Sequence, residues 1–415
     1  GYDDYLGTPW TNAPMCEPDA TGVSRKFPSG PTFCFLFAND TVVQQPLHIE
    51  NVTAALTSHA VGFVSSGDAR PWYYLLSFLH VHTPLFTMRQ NRGRSAGGAF
   101  GDNVEEMDDA VGAVMAAVER RGARNSTLVF LTSDNGPYQE EGWAHAGRTN
   151  VYRNGTLVGR LRGGKGQVFE GGIRVPGIAS WPTVIRGGAV SAALVSTFDI
   201  FPTVLRVAGV AMPPSYAIDG VDMSAVLADP EGAPSQHNVL LHYCGFTPLA
   251  ATVRGRWKVF WGEQQWYTDD PANYTICTQC CNGIVPASRL FAPATDLCGC
   301  EEKDIVARTP PVVYDLREDV FEANALTEGT WPAAAGVGYV DVVGAANATR
   351  AAMEAAVHPT PDPQGAGTCT AGFPAAARQP CCPGCEKTAL SKTCVASEVE
   401  GAACECDALP AAVVV

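Results

Sequence analysis

Three short stretches carry residues whose types and spacing could do chemistry. In VFLTSDNGP an apolar run stops on Asp134 and Asn135, followed by Gly136 and Pro137. Carboxylate and carboxamide oxygens from adjacent residues are hard donors of the kind Ca2+ or Mg2+ takes. The same Asp-Asn-Gly-Pro is also a strong turn signal at a strand end. Ca2+ takes roughly six to eight oxygens, so a cation held here needs further ligands from elsewhere. In LRGGKGQVFEGGIRVP (161–176) Lys165 stands between glycines. Bare backbone on both sides lets an anion approach and leaves the ammonium as its ligand; a flexible surface turn is the plainer alternative. The G-x-x-x-x-G-K-[ST] spacing of a nucleotide-binding loop is absent. Glu170 and Arg174 in the same stretch read as a structural ion pair. The third stretch, SFLHVHTP, sets His80 and His82 two residues apart. Histidines at i and i+2 of a strand share a face and could hold zinc. No third ligand is evident, and a strand-end histidine is usually structural.

The elements that must place these groups follow from pattern. PWYYLLSFL (71–79) and LVFLT (128–132) are continuous apolar runs, as expected of strands covered on both faces. PGIASW (176–181) reads as a third strand and DIFPTVLRVAG (199–209) as a helix. Between the first two runs, Val104, Met107, Val111, Val114 and Val118 recur at helical spacing. Asp102 with Glu105 forms an acidic variant of the capping box, and Gly122 is placed to stop the helix. Strand, helix, strand implies parallel strands. Ligands of such sheets bind past the carboxyl ends of the strands, where His82, Asp134 and Asn135 fall. Beyond about residue 235, NVLLHYC, RWKVFWG and PVVYDL read as strands without crossover helices, an antiparallel region. A helix is expected at roughly 340–357, and the last fifty residues read as a disulfide-tied tail. The expected fold class is α/β: a mostly parallel central sheet flanked by helices over residues 1–235, then a smaller antiparallel region with a Cys-rich tail over 236–415.

A formal charge of −14 over 415 residues excludes nucleic acid as a partner. No apolar run approaches the roughly 18 residues of a membrane span. Twelve of the fifteen cysteines cluster at 277–300 and 369–406, and N-x-[ST] sequons stand at Asn39, Asn51, Asn125, Asn154, Asn273 and Asn347. Both excesses point to the secretory pathway, with disulfides rather than zinc. GYDDYLGTPW carries no Met, basic segment or signal-type apolar run, and reads as the interior of a longer protein or a processed form.

The order His82, Asp134-Asn135, Lys165, EGGIR resembles the sulfatases of the alkaline-phosphatase-like superfamily, in particular their arylsulfatase and steroid-sulfatase-like members. GYDDYLGTPWTN, SFLHVHTPLF, FGDNVEEMDDAVG, FLTSDNGP, LRGGKGQVFEGGIRVPGIASWP, TFDIFPTV and IDGVDMSAVL carry the resemblance over most of residues 1–230. It continues more loosely through LLHYC, VVYDL and the CC…CEC tail. The resemblance implies that Asp134 and Asn135 ligate Ca2+. It implies that Lys165 binds the oxygens of a sulfate ester, and that His82 contacts the sulfate and assists departure of the alcohol. In the family a cysteine in C-x-P-S-R is oxidised by the formylglycine-generating enzyme, and its hydrate attacks sulfur. The implied substrate is a small-molecule or glycan sulfate ester, and the implied location lysosomal or extracellular.

The chain departs from this pattern. None of its fifteen cysteines is followed by x-Pro-Ser-Arg or x-Ala-Ser-Arg. The family's early Asp-Asp pair is missing too, since Asp3-Asp4 sits in a different motif, G-[FY]-D-x-[FY]-x-G. The expectation is a sulfatase lacking its N-terminal nucleophile segment, inactive by itself; a non-catalytic pseudo-sulfatase and a phosphoesterase relative are the alternatives. The interval between Cys16 and Gln44-Gln45 is too short and polar for the membrane hairpin of steroid sulfatase. Cys16 and Cys34, which bracket this loop, are expected to pair.

Overall fold

The structure is a computed structural model of the 415-residue chain. It describes residues 2–8, 35–45, 47–82, 85–137, 152–153, 156–157, 161–212, 218–245, 247–264, 305–356 and 406–407. They fall in two compact units, Gly1–Arg124 with Thr360–Val415, and Asn125–Pro359.

In the first unit β1 (Leu6–Gly7), β2 (Leu36–Ala38) and β3 (Thr41–Gln45) form an antiparallel sheet, and the pair Cys406–Asp407 adds to the free edge of β3. Helix α1 (Val52–Ser65) buries Val52, Ala55 and Leu56 against Leu36, Val43 and Leu47, and its far end packs Val64 on Ala117 and Val118 of α2 (Gly98–Arg120). The end of α2 is where the sequence places it. Gly122 is left-handed at φ 72°, and the N–H groups of Gly122 and Ala123 donate to the carbonyls of Glu119 and Val118, satisfying the last turn. The start differs. The helix begins four residues before Asp102, whose carboxylate accepts the N–H groups of Gly93 and Ser95 at 2.7 and 2.8 Å. Asp102 therefore closes the preceding loop instead of capping α2.

The expected strand at 71–79 belongs to no ladder among the described residues. Trp72 and Tyr74 lie against Phe63 of α1, Leu76 joins the α1 cluster, and Tyr73 and Leu75 between them are 51% and 58% exposed. The run has the two-residue alternation of a strand with one face on a helix, not the double-sided burial that its apolar sequence implied.

The second unit contains β4 (Val129–Thr132), the small hairpin β5 (Tyr152–Arg153) and β6 (Thr156–Leu157), the one-turn α3 (Glu170–Ile173) and β7 (Gly177–Ser180). Helices α4 (Ile200–Val207) and α5 (Ser224–Ala228) follow. The expected parallel arrangement is not formed among the described residues: β4 and β7 pair antiparallel, Val129 opposite Ser180 and Thr132 opposite Gly177. The cause is local. Gly136 N–H donates to Gly172 O at 2.9 Å and Lys165 N–H to Pro137 O at 3.0 Å. Residues 162–173 are thereby laid over the carboxyl end of β4. The strand that leaves them starts at that end and must run back along β4.

The expected antiparallel C-terminal region is present. β8 (Val239–Cys244), β9 (Thr247–Val253), β10 (Trp257–Gln264) and β11 (Ile305–Asp315) form a sheet in the order β11-β10-β9-β8, all neighbours antiparallel. Cys244, buried at the end of β8, is disulfide-bonded. Ala251, Val259 and Val313 stand side by side on one face and bury against Tyr339, Val342 and Ala346 of α6 (Tyr339–Ala356). The other face, with Ala250, Phe260 and Tyr314, covers Val168 and Phe169. The sheet is thus a slab between α6 and the glycine-rich stretch. Val259→Ala is expected to lower stability by about 2 kcal/mol, from two lost methyl groups and the cavity left, as measured by urea denaturation.

Candidate functional site

The turn after β4 is built by its own side chains. Asp134 Oδ1 accepts the N–H of Asn135 at 2.9 Å, and Ser133 Oγ donates to the carbonyl of Asn135 at 3.1 Å. Asp134 remains exposed and Asn135 half-buried. The turn is therefore bonded within itself, with the Asp134 carboxylate at the surface and Asn135 beside it. Gly136 is obligatory for a reason beyond the turn: a Cβ there would sit 1.8 Å from the carbonyl oxygen of Gly171. A Cβ on Gly171 would meet Arg162 O at 2.4 Å, and one on Gly172 would meet Gln167 O at 2.0 Å. Three bare positions let the DNGP and GGKG…EGG segments lie backbone on backbone. The segments carrying Asp134, Asn135 and Lys165, about thirty residues apart in sequence, are brought together in this way.

The floor under them is ionic. Glu170, first residue of α3, has the expected partner: Arg174 Nη1 is 3.4 Å from Oε2. The stronger contact was hidden. Lys258 of β10, wholly buried, places Nζ 2.9 Å from Glu170 Oε1 and 3.0 Å from Glu322 Oε1. The signal available in the sequence was a lysine inside the strand-like run RWKVFWG, since a charge in a buried strand must be paired.

His80 and His82 lie in the first unit and do not act as a pair on a strand. The N–H of His82 donates to Leu79 O at 2.9 Å, closing a turn, and His82 is half-buried. The His80 side chain is fully buried, with Nε2 3.0 Å from Glu106 Oε1 and its ring 4.7 Å from Phe86. Glu106 Oε2 also accepts from Met88 N–H and Asn91 Nδ2 at 2.9 and 2.8 Å. Burial pushes the Glu106 carboxyl up, and the hydrogen bonds from His80, Asn91 and Met88 outweigh it and hold the group below its ordinary value. His80 is thus the structural residue it was read to be. Glu106 of α2, a residue the helical spacing does not single out, anchors it.

A carboxylate beside a carboxamide is chemically suited to a hard divalent cation, as part of a larger oxygen set. Among the described residues no group of three or more His, Cys, Asp or Glu is gathered as a metal centre would gather them. The cysteines Cys16 and Cys34 lie outside the described residues.

The sulfatase family model matches residues 1–210, and the model of the C-terminal region of aryl-sulfatases matches residues 235–394. The chain belongs to the sulfatase family. This sulfatase is 36% identical over 311 residues to the steryl-sulfatase of Rattus norvegicus, covering 73% of this chain and 49% of that one. To arylsulfatase D of Homo sapiens it is 35% identical over 305 residues, 72% and 47% of the two chains. The chain spans about half the length of the curated relatives it matches. A sulfatase from Pseudoalteromonas sp., PsFucS1, shares its fold at a TM-score of 0.58 and 24% identity, with 76% of this chain and 55% of that one covered. Among the described residues of this sulfatase no helix is long and apolar enough to cross a membrane.

Proposed function

We propose that the protein to which this chain belongs hydrolyses sulfate esters of small molecules or glycans. The observation that carries this is the backbone lacing of the Asp134-Asn135 turn onto the Lys165 loop in a chain of the sulfatase family. In this reading Asp134 and Asn135 supply two of the oxygens that hold Ca2+. Lys165 neutralises charge on the sulfate oxygens, and His82 contacts the sulfate and gives a proton to the departing alcohol. Ca2+, when bound, draws charge from the sulfate oxygens and favours attack at sulfur. With no C-x-P-S-R in its sequence, this chain contributes no nucleophile. The oxidised cysteine is supplied by residues outside 1–415, matured by the formylglycine-generating enzyme. The cysteine and sequon content, with the disulfide at Cys244, favours the secretory pathway, in the lysosome or outside the cell.

The test is to co-express the longer protein with the formylglycine-generating enzyme and assay an aryl sulfate. Turnover that calcium chelation abolishes is expected; turnover no higher than that of a Lys165→Ala variant refutes the reading and favours a non-catalytic sulfatase fold. Residues 1–415 alone are expected to bind Ca2+ weakly, having two of its roughly six to eight oxygens. Tight binding by calorimetry would contradict the assignment of the remaining ligands to residues outside this chain.

A further inference from the structure

The charges beneath the Lys165 loop form a directed network. Lys258 reaches both Glu170 and Glu322. Glu322 in turn holds Glu170 a second time, accepting its backbone N–H on Oε2 at 2.7 Å. Glu322 is itself fixed in the left-handed region at φ 53°, which a non-glycine residue rarely adopts. Its carbonyl accepts from Arg162 Nη1 at 2.9 Å. On the same sheet face His242 of β8 is hydrogen-bonded to Thr252 at 2.7 Å. Burial, and then the neighbouring Lys258, hold His242 well below its ordinary value. From Glu170 the contacts run to the site without a gap. Glu170 opens α3, Gly171 N–H donates to Arg162 O at 2.6 Å, and Gly172 O receives Gly136 N–H. A buried ion pair of this kind often adds little net stability over apolar residues of similar volume, while removing one partner leaves the other charge uncompensated.

We propose that Lys258 and Glu322 are positioning residues, clamping Glu170 from the C-terminal sheet and thereby setting where the Lys165 loop and the Asp134-Asn135 turn stand. The kinetic arm of the test rests on the sulfate-ester reading; the exchange arm does not. In the full chain, hydrogen–deuterium exchange is followed in peptides covering 131–137 and 161–174, with α6 on the opposite sheet face as reference. Lys258→Met is expected to speed exchange in both loop peptides about tenfold or more while α6 stays within about twofold. Glu322→Gln keeps the side-chain volume and removes one of the two carboxylate charges facing the ammonium. It is expected to show the same bias at about threefold, and decides the matter if Lys258→Met does not fold. Unchanged loop exchange, or equal loosening of α6, overturns the proposal. In the longer enzyme, Glu322→Gln is expected to raise KM for an aryl sulfate about fivefold with kcat within about twofold, whereas Val342→Ala, a core change in α6, leaves KM alone. Equal KM shifts in the two variants overturn it as well. A longer enzyme without any aryl-sulfate turnover refutes the sulfate-ester reading, and the exchange result then decides the clamp by itself.

Discussion

Replacing Gly136 by alanine is expected to destabilise the second unit by about 3 kcal/mol or more, without altering a single charge. The added methyl would stand 1.8 Å from Gly171 O and 3.1 Å from the Cα of Gly172. Both are backbone atoms, so no rotamer change relieves the contact. The two segments must part, and the hydrogen bonds from Gly136 to Gly172 and from Lys165 to Pro137 open with them. Gly177→Ala, at the start of β7 with nothing within 4 Å of the new methyl, is the matched control. It is expected to stay within about 1 kcal/mol of the parent chain and to gain slightly from the stiffer unfolded state. Urea denaturation of the two variants measures the difference. A Gly136→Ala chain as stable as Gly177→Ala would mean that the DNGP and EGG segments are not in backbone contact.

Lys165→Ala in the longer, matured enzyme is expected to lower kcat/KM for an aryl sulfate by about 100- to 1,000-fold, the loss of one preorganised charge at the oxygens where negative charge develops. That corresponds to about 3–4 kcal/mol of transition-state stabilisation. The backbone N–H of Lys165 and the glycines around it, which hold the loop against the Asp134-Asn135 turn, are kept in this variant. Melting temperatures of variant and parent are expected to agree within about 2 °C. Lys165→Arg keeps the charge but brings a planar fork in place of a compact ammonium, and is expected to recover only part of the loss. Activity of Lys165→Ala within about threefold of the parent would remove Lys165 from the site and with it the proposed role of the GGKG loop.

Much of this molecule can be read from short stretches of sequence. The Asp134-Asn135-Gly136 turn, the glycine-flanked Lys165, the left-handed stop of α2 at Gly122 and the antiparallel character of β8 to β11 each depend on neighbours a few positions away. Turn chemistry, capping and two-residue alternation are local rules that a sequence displays directly. The order of His82, Asp134-Asn135, Lys165 and EGGIR was enough to indicate the family. The tertiary structure decided what depends on partners far along the chain. Residues 71–79 have a strand's pattern, yet a ladder requires a second backbone, which the pattern cannot name. β7 runs antiparallel to β4 because the glycine-rich stretch is stitched over the end of β4. Glu170 looked like half of an i,i+4 pair with Arg174, but its closest charge is Lys258, 88 residues later, and its N–H is held by Glu322, 152 residues later. His80 likewise finds Glu106 across 26 residues. A charge removed from water has to be matched by whatever the fold places beside it. Local sequence can show that a partner is needed; only the folded chain determines which residue it is.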